Sequence, residues 1–515
     1  MYVTQGLHRA MRETPDAPAT IFGERSRTWA QHADRVARLA GALHELGVQE
    51  GERVGIWARN SDRYAELLAA VPWANAVLNP LNSRWSPHEI GYALRESDTN
   101  VLFVDDPVAV QVPALAGPHP DLEVVIHLGD GTPPAGMLDY EELVAGARPV
   151  PDARRGGDAL AAIFYTGGTT GFPKGVMLSH ANLLTSALGS LATAPIALPG
   201  GRTVVAAPMF HASGFVAWLY QLVVGGGHVI LPAFEATAVL EAITRHQAAS
   251  IILVPTMIQM LLDHPAFGDY DLSSLQTLLY AASPMSQTLL ERVRRTLPHT
   301  ALIQAYGMTE LAPITTLLSP ADHQAAGHRR SVGRAAAHAE VRVVDEHDHE
   351  VPRGSVGEIV ARGGHVMLGY WNNPKPTAKA LRDGWMHTGD VGYLDDDGYL
   401  YVVDRIKDMI ITGGSNVFSA EVENAVGTHP AVVACAVIGV PDATWGERVH
   451  AVIVVRPGHT TTADEVRAHC KNLIADYKAP RSCEFVEALP LSPAGKVLKH
   501  QLREPYWRGA ERQVH

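Results

Sequence analysis

Short, continuously apolar runs set between helical patterns constrain this chain more than any other feature. Arg53-Val-Gly-Ile-Trp57, Asn100-Val-Leu-Phe-Val-Asp105, Ser250-Ile-Ile-Leu-Val254 and Leu278-Leu-Tyr280 are too short for buried helices and lack period-two alternation. Strands of that kind are covered on both faces. Between them lie amphipathic patterns. From Trp29 to Leu46 the residues Ala33, Val36, Ala37, Ala40 and Leu43 share one helical face, with Gly47 placed to cap the C-terminus, and Tyr64 to Ala76 reads as a second helix. Strands alternating with helices predict an α/β fold of mostly parallel sheets sandwiched by helices.

The rhythm changes near residue 340. Glu340-Val-Arg-Val-Val-Asp345, Gly357-Glu-Ile-Val-Ala361 and Tyr399-Leu-Tyr-Val-Val403 alternate at period two between turn signals, which predicts a smaller antiparallel β unit. Beyond Asp404-Arg405 the pattern runs glycine turn, helix Ala420 to Val426, strands Val432 to Val440 and Val449 to Val455, and helix Ala463 to Leu473. That is a separate α+β domain of about one hundred residues, within the usual domain range, with its boundary close to Lys407.

At 515 residues the chain exceeds a single core of ordinary size. A formal net charge of -12 disfavours broad contact with nucleic acid or an anionic membrane. Its three cysteines, Cys435, Cys470 and Cys483, form no CxxC pair, and the odd count argues for a reducing, cytoplasmic setting. The N-terminal MYVTQGLHRAMRETPDAP lacks the apolar core of a signal peptide. The apolar stretch Ala212 to Phe234 is broken by Gly225, Gly226, Gly227 and His228 and holds Gln221, so it reads as a buried helix followed by a buried strand, with no integral membrane segment.

One segment carries the clearest chemistry. Tyr165-Thr-Gly-Gly-Thr-Thr-Gly-Phe-Pro-Lys-Gly175 follows the apolar run Leu160 to Phe164 and precedes Val176-Met-Leu-Ser-His180. Glycines let backbone N–H groups approach phosphate oxygens, hydroxyls add donors, and Lys174 supplies a point charge. It is not a Walker A loop, because Pro173 precedes the lysine and Gly175 follows it. The bland alternative is a surface turn.

The segment resembles the phosphate loop of the adenylate-forming (ANL) superfamily, which includes acyl-CoA synthetases, free-standing adenylation domains and beetle luciferases. Further motifs in family order extend the resemblance along the chain. Pro208-Met-Phe-His-Ala-Ser-Gly-Phe215 is similar to the acyl-pocket segment, and Tyr280-Ala-Ala-Ser-Pro284 to the adenine-contacting turn. Gln304-Ala-Tyr-Gly-Met-Thr-Glu310 resembles the motif whose tyrosine packs on adenine, whose threonine meets the α-phosphate and whose glutamate holds Mg²⁺. Asp383-Gly-Trp-Met-His-Thr-Gly-Asp390 and Val403-Asp-Arg-Ile-Lys-Asp408 resemble the ribose-binding pair and hinge. Pro490-Leu-Ser-Pro-Ala-Gly-Lys496 resembles the loop bearing a catalytic lysine.

The resemblance therefore implies an acid–thiol ligase of the fatty-acid–CoA or 4-coumarate–CoA ligase-like branch. Such an enzyme makes acyl-AMP from ATP and then an acyl-CoA. It implies ATP contacts from Thr166, Gly167, Gly168, Thr169, Thr170, Gly171, Lys174, Ala282, Ser283, Pro284, Tyr306, Gly307, Met308, Thr309, Asp390 and Arg405. Thr166 and Glu310 would hold Mg²⁺, while Lys496, Thr309 and His211 are the catalytic candidates. The implied division is an N-terminal domain over 1–404, a hinge at 405–408 around Lys407, and a mobile C-terminal domain over 409–515. Gly413 and Gly414 would line the CoA tunnel. Ser415 stands where most relatives carry glutamate. The family is compatible with a homodimer, and a carrier protein is the alternative acceptor to CoA.

Physical chemistry agrees with these roles. Attack of a carboxylate on the α-phosphorus joins two anions, so the site must supply positive charge and fixed geometry. Alone, Glu310 reads as a helix-capping acid, Asp390 and Arg405 as surface charges, and Lys496 as a solvated loop residue. His211 lies in no metal-ligand spacing; it reads equally as a gate on the acyl channel and as a hydrogen-bonded core histidine. His211, Ser213, Phe215, Ala281 and Gly307 are the acyl-pocket candidates. Gly307 stands where acetyl-specific relatives carry tryptophan, which predicts an open channel for a hydrophobic mono-acid, fatty acyl first and aryl or phenylpropenoyl second.

Overall fold

The computed structural model describes residues 1–117, 119, 122–166, 173–283, 285–325, 327–405, 408–412, 415–442, 444–492 and 497–508, without the side chains of Arg405 and Asn416. The candidates Gly167, Gly168, Thr169, Thr170, Gly171, Pro284, Lys407, Gly413, Gly414 and Lys496 lie outside the described residues.

The short apolar runs become strands at Arg53–Trp57, Val101–Val104, Ser250–Leu253 and Thr277–Tyr280. Among the described residues they fall into two large sheets of nine and eight strands. The central strands of both run parallel, as in the pairing of Arg53 to Val77 and of Ser250 to Thr277. Antiparallel strands close the edges, among them Lys174–Ser179 and Gly369–Tyr370. Helix Trp29–Glu45 is held at its start by a capping box between Thr28 and Gln31, and Gly47 adopts φ 89° just past its end.

The apolar stretch after residue 212 is the helix Ala212–Val224 followed by the strand Gly227–Ile230. Among the described residues no helix is long and apolar enough to cross a membrane. The period-two segments form a third, five-stranded sheet, with Glu340–Val344, Gly357–Arg362 and Trp385–Leu394 as successive antiparallel neighbours. A fourth sheet holds Val432–Asp442 and Gly446–Val455, flanked by the helices Ser419–Gly427 and Ala463–Lys471. The three cysteines are free.

The parallel sheets place the site. In open parallel sheets ligands bind beyond the carboxyl ends of the strands. Thr166 ends Leu160–Thr166, Ala281 and Ala282 follow Thr277–Tyr280, and Tyr306 ends Ala301–Tyr306. Candidates far apart in sequence thus each stand at the carboxyl end of a strand.

Burial in the same core depresses several histidines. His32 and His365 are lowered to about 3 and His180 to about 4, in each case chiefly because burial disfavours the imidazolium. Their folded values lie below the unfolded value near 6.5, so unfolding takes up protons as the pH falls below it. Each should cost about 1.4 kcal/mol of stability per pH unit in that range. Urea melts at pH 7, 6 and 5 are expected to show a falling midpoint; replacing His365 with glutamine should shallow the slope, and an unchanged slope would count against its burial as a neutral group.

Candidate active site

The phosphate-loop strands form an antiparallel hairpin whose register sets Thr166 opposite Lys174 and Tyr165 opposite Gly175. The two residues that the sequence assigns to phosphate and metal therefore face each other across its mouth. Gly175 has a packing reason to lack a side chain: a Cβ there would lie 2.7 Å from Ile163 Cγ2. The Tyr165 hydroxyl donates to Glu96, and burial together with that carboxylate holds the phenol protonated.

A third strand completes this edge. Gly369–Tyr370 pairs antiparallel with Lys174–Ser179, placing Tyr370 opposite Val176. The Trp371 N–H donates to Gly175 O at 2.8 Å, and its indole N–H donates to Glu96 O at 2.8 Å. Tyr370 then bridges two candidates. Lys174 Nζ sits 5.2 Å from the centre of its ring, and its hydroxyl donates to Glu310 Oε1 at 2.9 Å. Burial and the neighbouring Glu310 keep this phenol protonated, as a donor must be. Sequence reasoning missed Tyr370; its only signal was an aromatic pair behind Gly369 and ahead of Asn372-Asn373-Pro374.

Glu310 itself lies in the single turn Thr309–Leu311, nearly buried, with its backbone carbonyl accepting from Met367 N–H at 2.9 Å. The capping role it suggests in isolation is not the one it plays, since no side-chain cap closes that turn. A nearly buried carboxylate, one oxygen of which is fixed by a phenol and with a lysine close by, supplies the hard oxygen chemistry that Mg²⁺ takes. The residues present therefore fit the ion.

The nucleotide candidates converge from the other side. Tyr306 donates its hydroxyl to Asp390 Oδ2 at 2.8 Å, joining the parallel sheet to the antiparallel one. Asp390 is nearly buried and stands opposite Arg405 in the pairing of Trp385–Leu394 with Leu400–Arg405. Ala282 adopts φ 74°, a left-handed conformation that alanine rarely takes and that is typical of strained turns at functional sites. Ser283 and Met308 are half-buried.

The acyl-pocket candidates divide. His211 caps the helix Ala212–Val224: its Nδ1 accepts from the Ser213 N–H at 3.3 Å and faces Ser213 Oγ at 3.0 Å. That is a structural task, set by the helix start. Phe215 is fully buried, edge-on to Phe164 at 5.4 Å and tilted against Trp218 at 5.5 Å. Packed on both sides, it belongs to the hydrophobic core. Gly307 also has a backbone reason to be glycine, since a Cβ would lie 2.0 Å from Pro313 O. Its smallness is therefore set by the close approach of Pro313, and the argument from Gly307 to an open channel loses its force. Ala281 is half-buried at the strand end. Among the described residues no group of three or more His, Cys, Asp or Glu could hold a metal.

Comparison with known proteins gives this site its class. The AMP-binding enzyme family model matches residues 7–371, and the AMP-binding enzyme C-terminal domain matches 421–496. The chain belongs to the AMP-binding enzyme family and is an AMP-forming acid–CoA ligase of the adenylate-forming superfamily. It is 41% identical over 500 residues to a feruloyl-CoA synthase of Amycolatopsis sp, covering 97% of this chain and 98% of that one. It is 35% identical over 529 residues to the medium/long-chain-fatty-acid–CoA ligase FadD8 of Mycobacterium tuberculosis, covering 98% and 90%. Among solved structures, the anthranilate CoA ligase AuaEII in complex with anthranoyl-AMP superposes with a TM-score of 0.92 at 28% identity, covering 99% and 98%.

Tyr370→Phe isolates the bridge. It keeps the ring beneath Lys174 and removes the bond to Glu310, a charge-assisted hydrogen bond of about 1.5–3 kcal/mol. The Mg²⁺ concentration needed for half-maximal pyrophosphate release is expected to rise about tenfold or more, with Mg·ATP binding weakened in parallel by calorimetry. An unchanged Mg²⁺ requirement would remove Tyr370 from the site.

Proposed function

We propose that this ligase activates an aromatic monocarboxylic acid of the phenylpropenoic type. A carboxylate oxygen attacks the α-phosphorus of ATP, the bond to the bridging oxygen breaks, and pyrophosphate leaves. The CoA thiol, losing its proton, then attacks the acyl carbonyl and AMP departs. The observation that carries the substrate class is the 41% identity to a feruloyl-CoA synthase along essentially the whole chain, against 35% to a fatty-acid ligase. This reverses the order that the motif segment suggests, where a fatty acid ranked ahead of an aryl acid. Pocket-wall residues discriminate weakly, because one methylene is worth only about 0.8 kcal/mol.

In this reading Lys174 and the hairpin backbone hold the β- and γ-phosphates, while Thr166 and Glu310 hold Mg²⁺. When bound, the ion would offset charge on the phosphate oxygens. Tyr306 supports the adenine, Asp390 and Arg405 hold the ribose hydroxyls, and Thr309 meets the α-phosphate. Lys496 joins them for adenylation and is replaced by the Gly413–Gly414 loop for thioester formation, by rotation about Lys407. Two contacts bracket the hinge: Asp404 accepts from the Ser419 N–H across it, a bond that rotation would have to release, and Arg503 pairs with Asp408 at 2.8 Å.

Pyrophosphate release across ferulate, 4-hydroxycinnamate, indoleacetate and C8–C16 fatty acids, with and without CoA, tests the reading. Aromatic acids should lead by at least tenfold in kcat/KM. A lead for the fatty acids would restore the second reading, and product that requires a carrier protein would replace CoA as acceptor. The same assay checks the roles: Lys496→Ala should lose adenylation yet convert supplied acyl-AMP to thioester, and Lys407→Pro, with φ fixed, should do the reverse. Equal loss of both half-reactions in either variant would contradict the domain exchange.

A further inference from the structure

The helix Ser419–Gly427 begins without a cap of its own. It follows Phe418, whose side chain can accept no hydrogen bond. The first helical N–H, on the fully buried Ser419, is one that a helix leaves unpaired, at the positive end of its dipole. Asp404 takes that place: its Oδ2, on a nearly buried side chain, accepts from the Ser419 N–H. A carboxylate is the favoured partner at a helix start, and loss of a capping group shifts an equilibrium by roughly 2- to 30-fold. Asp404 and Ser419 stand on opposite sides of the hinge. Asp404 lies in the strand Leu400–Arg405, opposite Val391, while Asp390 faces Arg405 in the same pairing.

Ser419 passes this contact on to the chain around Lys496. Lys499 Nζ donates to Ser419 Oγ at 2.6 Å and pairs with Glu423 Oε1 at 2.7 Å, one turn further along the capped helix. The same Glu423 oxygen accepts from the Val437 N–H at 2.8 Å, which fixes the carboxylate against its own sheet. Lys499 opens the helix Lys499–Trp507, just past Lys496 in the chain. On either side of the Lys496 segment, Leu491 bridges Val497 and the Leu498 N–H donates to Pro490 O at 2.8 Å. Arg503, on the helix that Lys499 opens, holds Asp408 at the end of the hinge. The base of the Lys496 segment is thus tied, through Lys499 and Ser419, to the strand that ends in the ribose candidate Arg405.

We propose that Asp404 is a positioning residue for adenylation: by capping the helix Ser419–Gly427 across the hinge, it holds the orientation in which Lys496 serves the first half-reaction. The inference rests on the domain exchange proposed above. Asp404 touches no reacting atom and acts through Ser419 and Lys499. Rotation about Lys407 takes the Ser419 N–H away from the carboxylate, so the bond favours one orientation only, and a bond made in one state alone is what biases a two-state equilibrium. Its release accompanies the turn to thioester formation.

Single turnovers of the full-length enzyme, with the leading acid of the panel above, test the assignment in both half-reactions. One is pyrophosphate release from ATP and acid without CoA; the other is thioester formation from supplied acyl-AMP and CoA. Asp404→Ala should slow the first roughly tenfold and leave the second unchanged or faster. Ser419→Pro removes the donor instead, at a helix position that proline suits, and should give the same split. The double variant should be no slower than either single one, because both delete one bond. Asp404→Asn, which keeps an acceptor oxygen, should recover most of the rate. Equal slowing of both half-reactions, additive losses, or unchanged rates overturn the role of Asp404. If Lys496→Ala and Lys407→Pro still separate the half-reactions, the domain exchange stands without it; equal loss in those two variants overturns both.

Discussion

The pairing of the hairpin strand Lys174–Ser179 with the two-residue strand Gly369–Tyr370 underlies the end of the candidate site that holds Lys174 and Glu310. Without that edge contact Lys174 would be a solvated lysine and Glu310 a carboxylate in an isolated turn. With it, one phenol touches both: the lysine charge over its face and the carboxylate at its hydroxyl. Backbone bonds from Trp371 to Gly175 and from Met367 to Glu310 fix the strand in register. The fold itself thereby holds these two charges in place, the preorganisation on which electrostatic catalysis draws.

A second constraint joins the sheets. The Tyr306 to Asp390 hydrogen bond links the end of a parallel strand to the antiparallel unit. The phosphate, adenine and ribose candidates thus draw on three sheets, joined at this point by that bond. The acyl side is organised differently. There the segment is packed backbone against backbone: a Cβ at Gly214 would meet Pro208 O at 2.1 Å and one at Gly307 would meet Pro313 O at 2.0 Å. Glycines in such motifs record close approach as much as open space.

The strand and helix pattern was legible because a strand buried on both faces needs an unbroken apolar run, and an amphipathic helix needs its spacing; both are local. Arg53–Trp57 matches its apolar run residue for residue, while Asp62–Trp73 begins earlier than the apolar pattern of Tyr64 to Ala76, since the Ser61 cap adds polar residues to its start. The candidate phosphate segment could be singled out for a similar reason, as glycine, hydroxyl and lysine lie within one stretch of sequence. Tyr370 was not, being 60 residues from Glu310 and meeting it only through sheet pairing. His211 was read as a gate or a core histidine, and its capping geometry depends on where the helix begins.

The sequence by itself determined the α/β class, the family and the order of the motifs, because these rest on local periodicity and on contiguous residues. Tertiary structure alone decided which partners those residues take. It set Tyr370 between Lys174 and Glu310, put Phe215 in the core, gave His211 a cap to make, and brought Asp404 to the helix start at Ser419. Side-chain environment is fixed by elements that meet in space, and separation along the chain carries no record of that meeting.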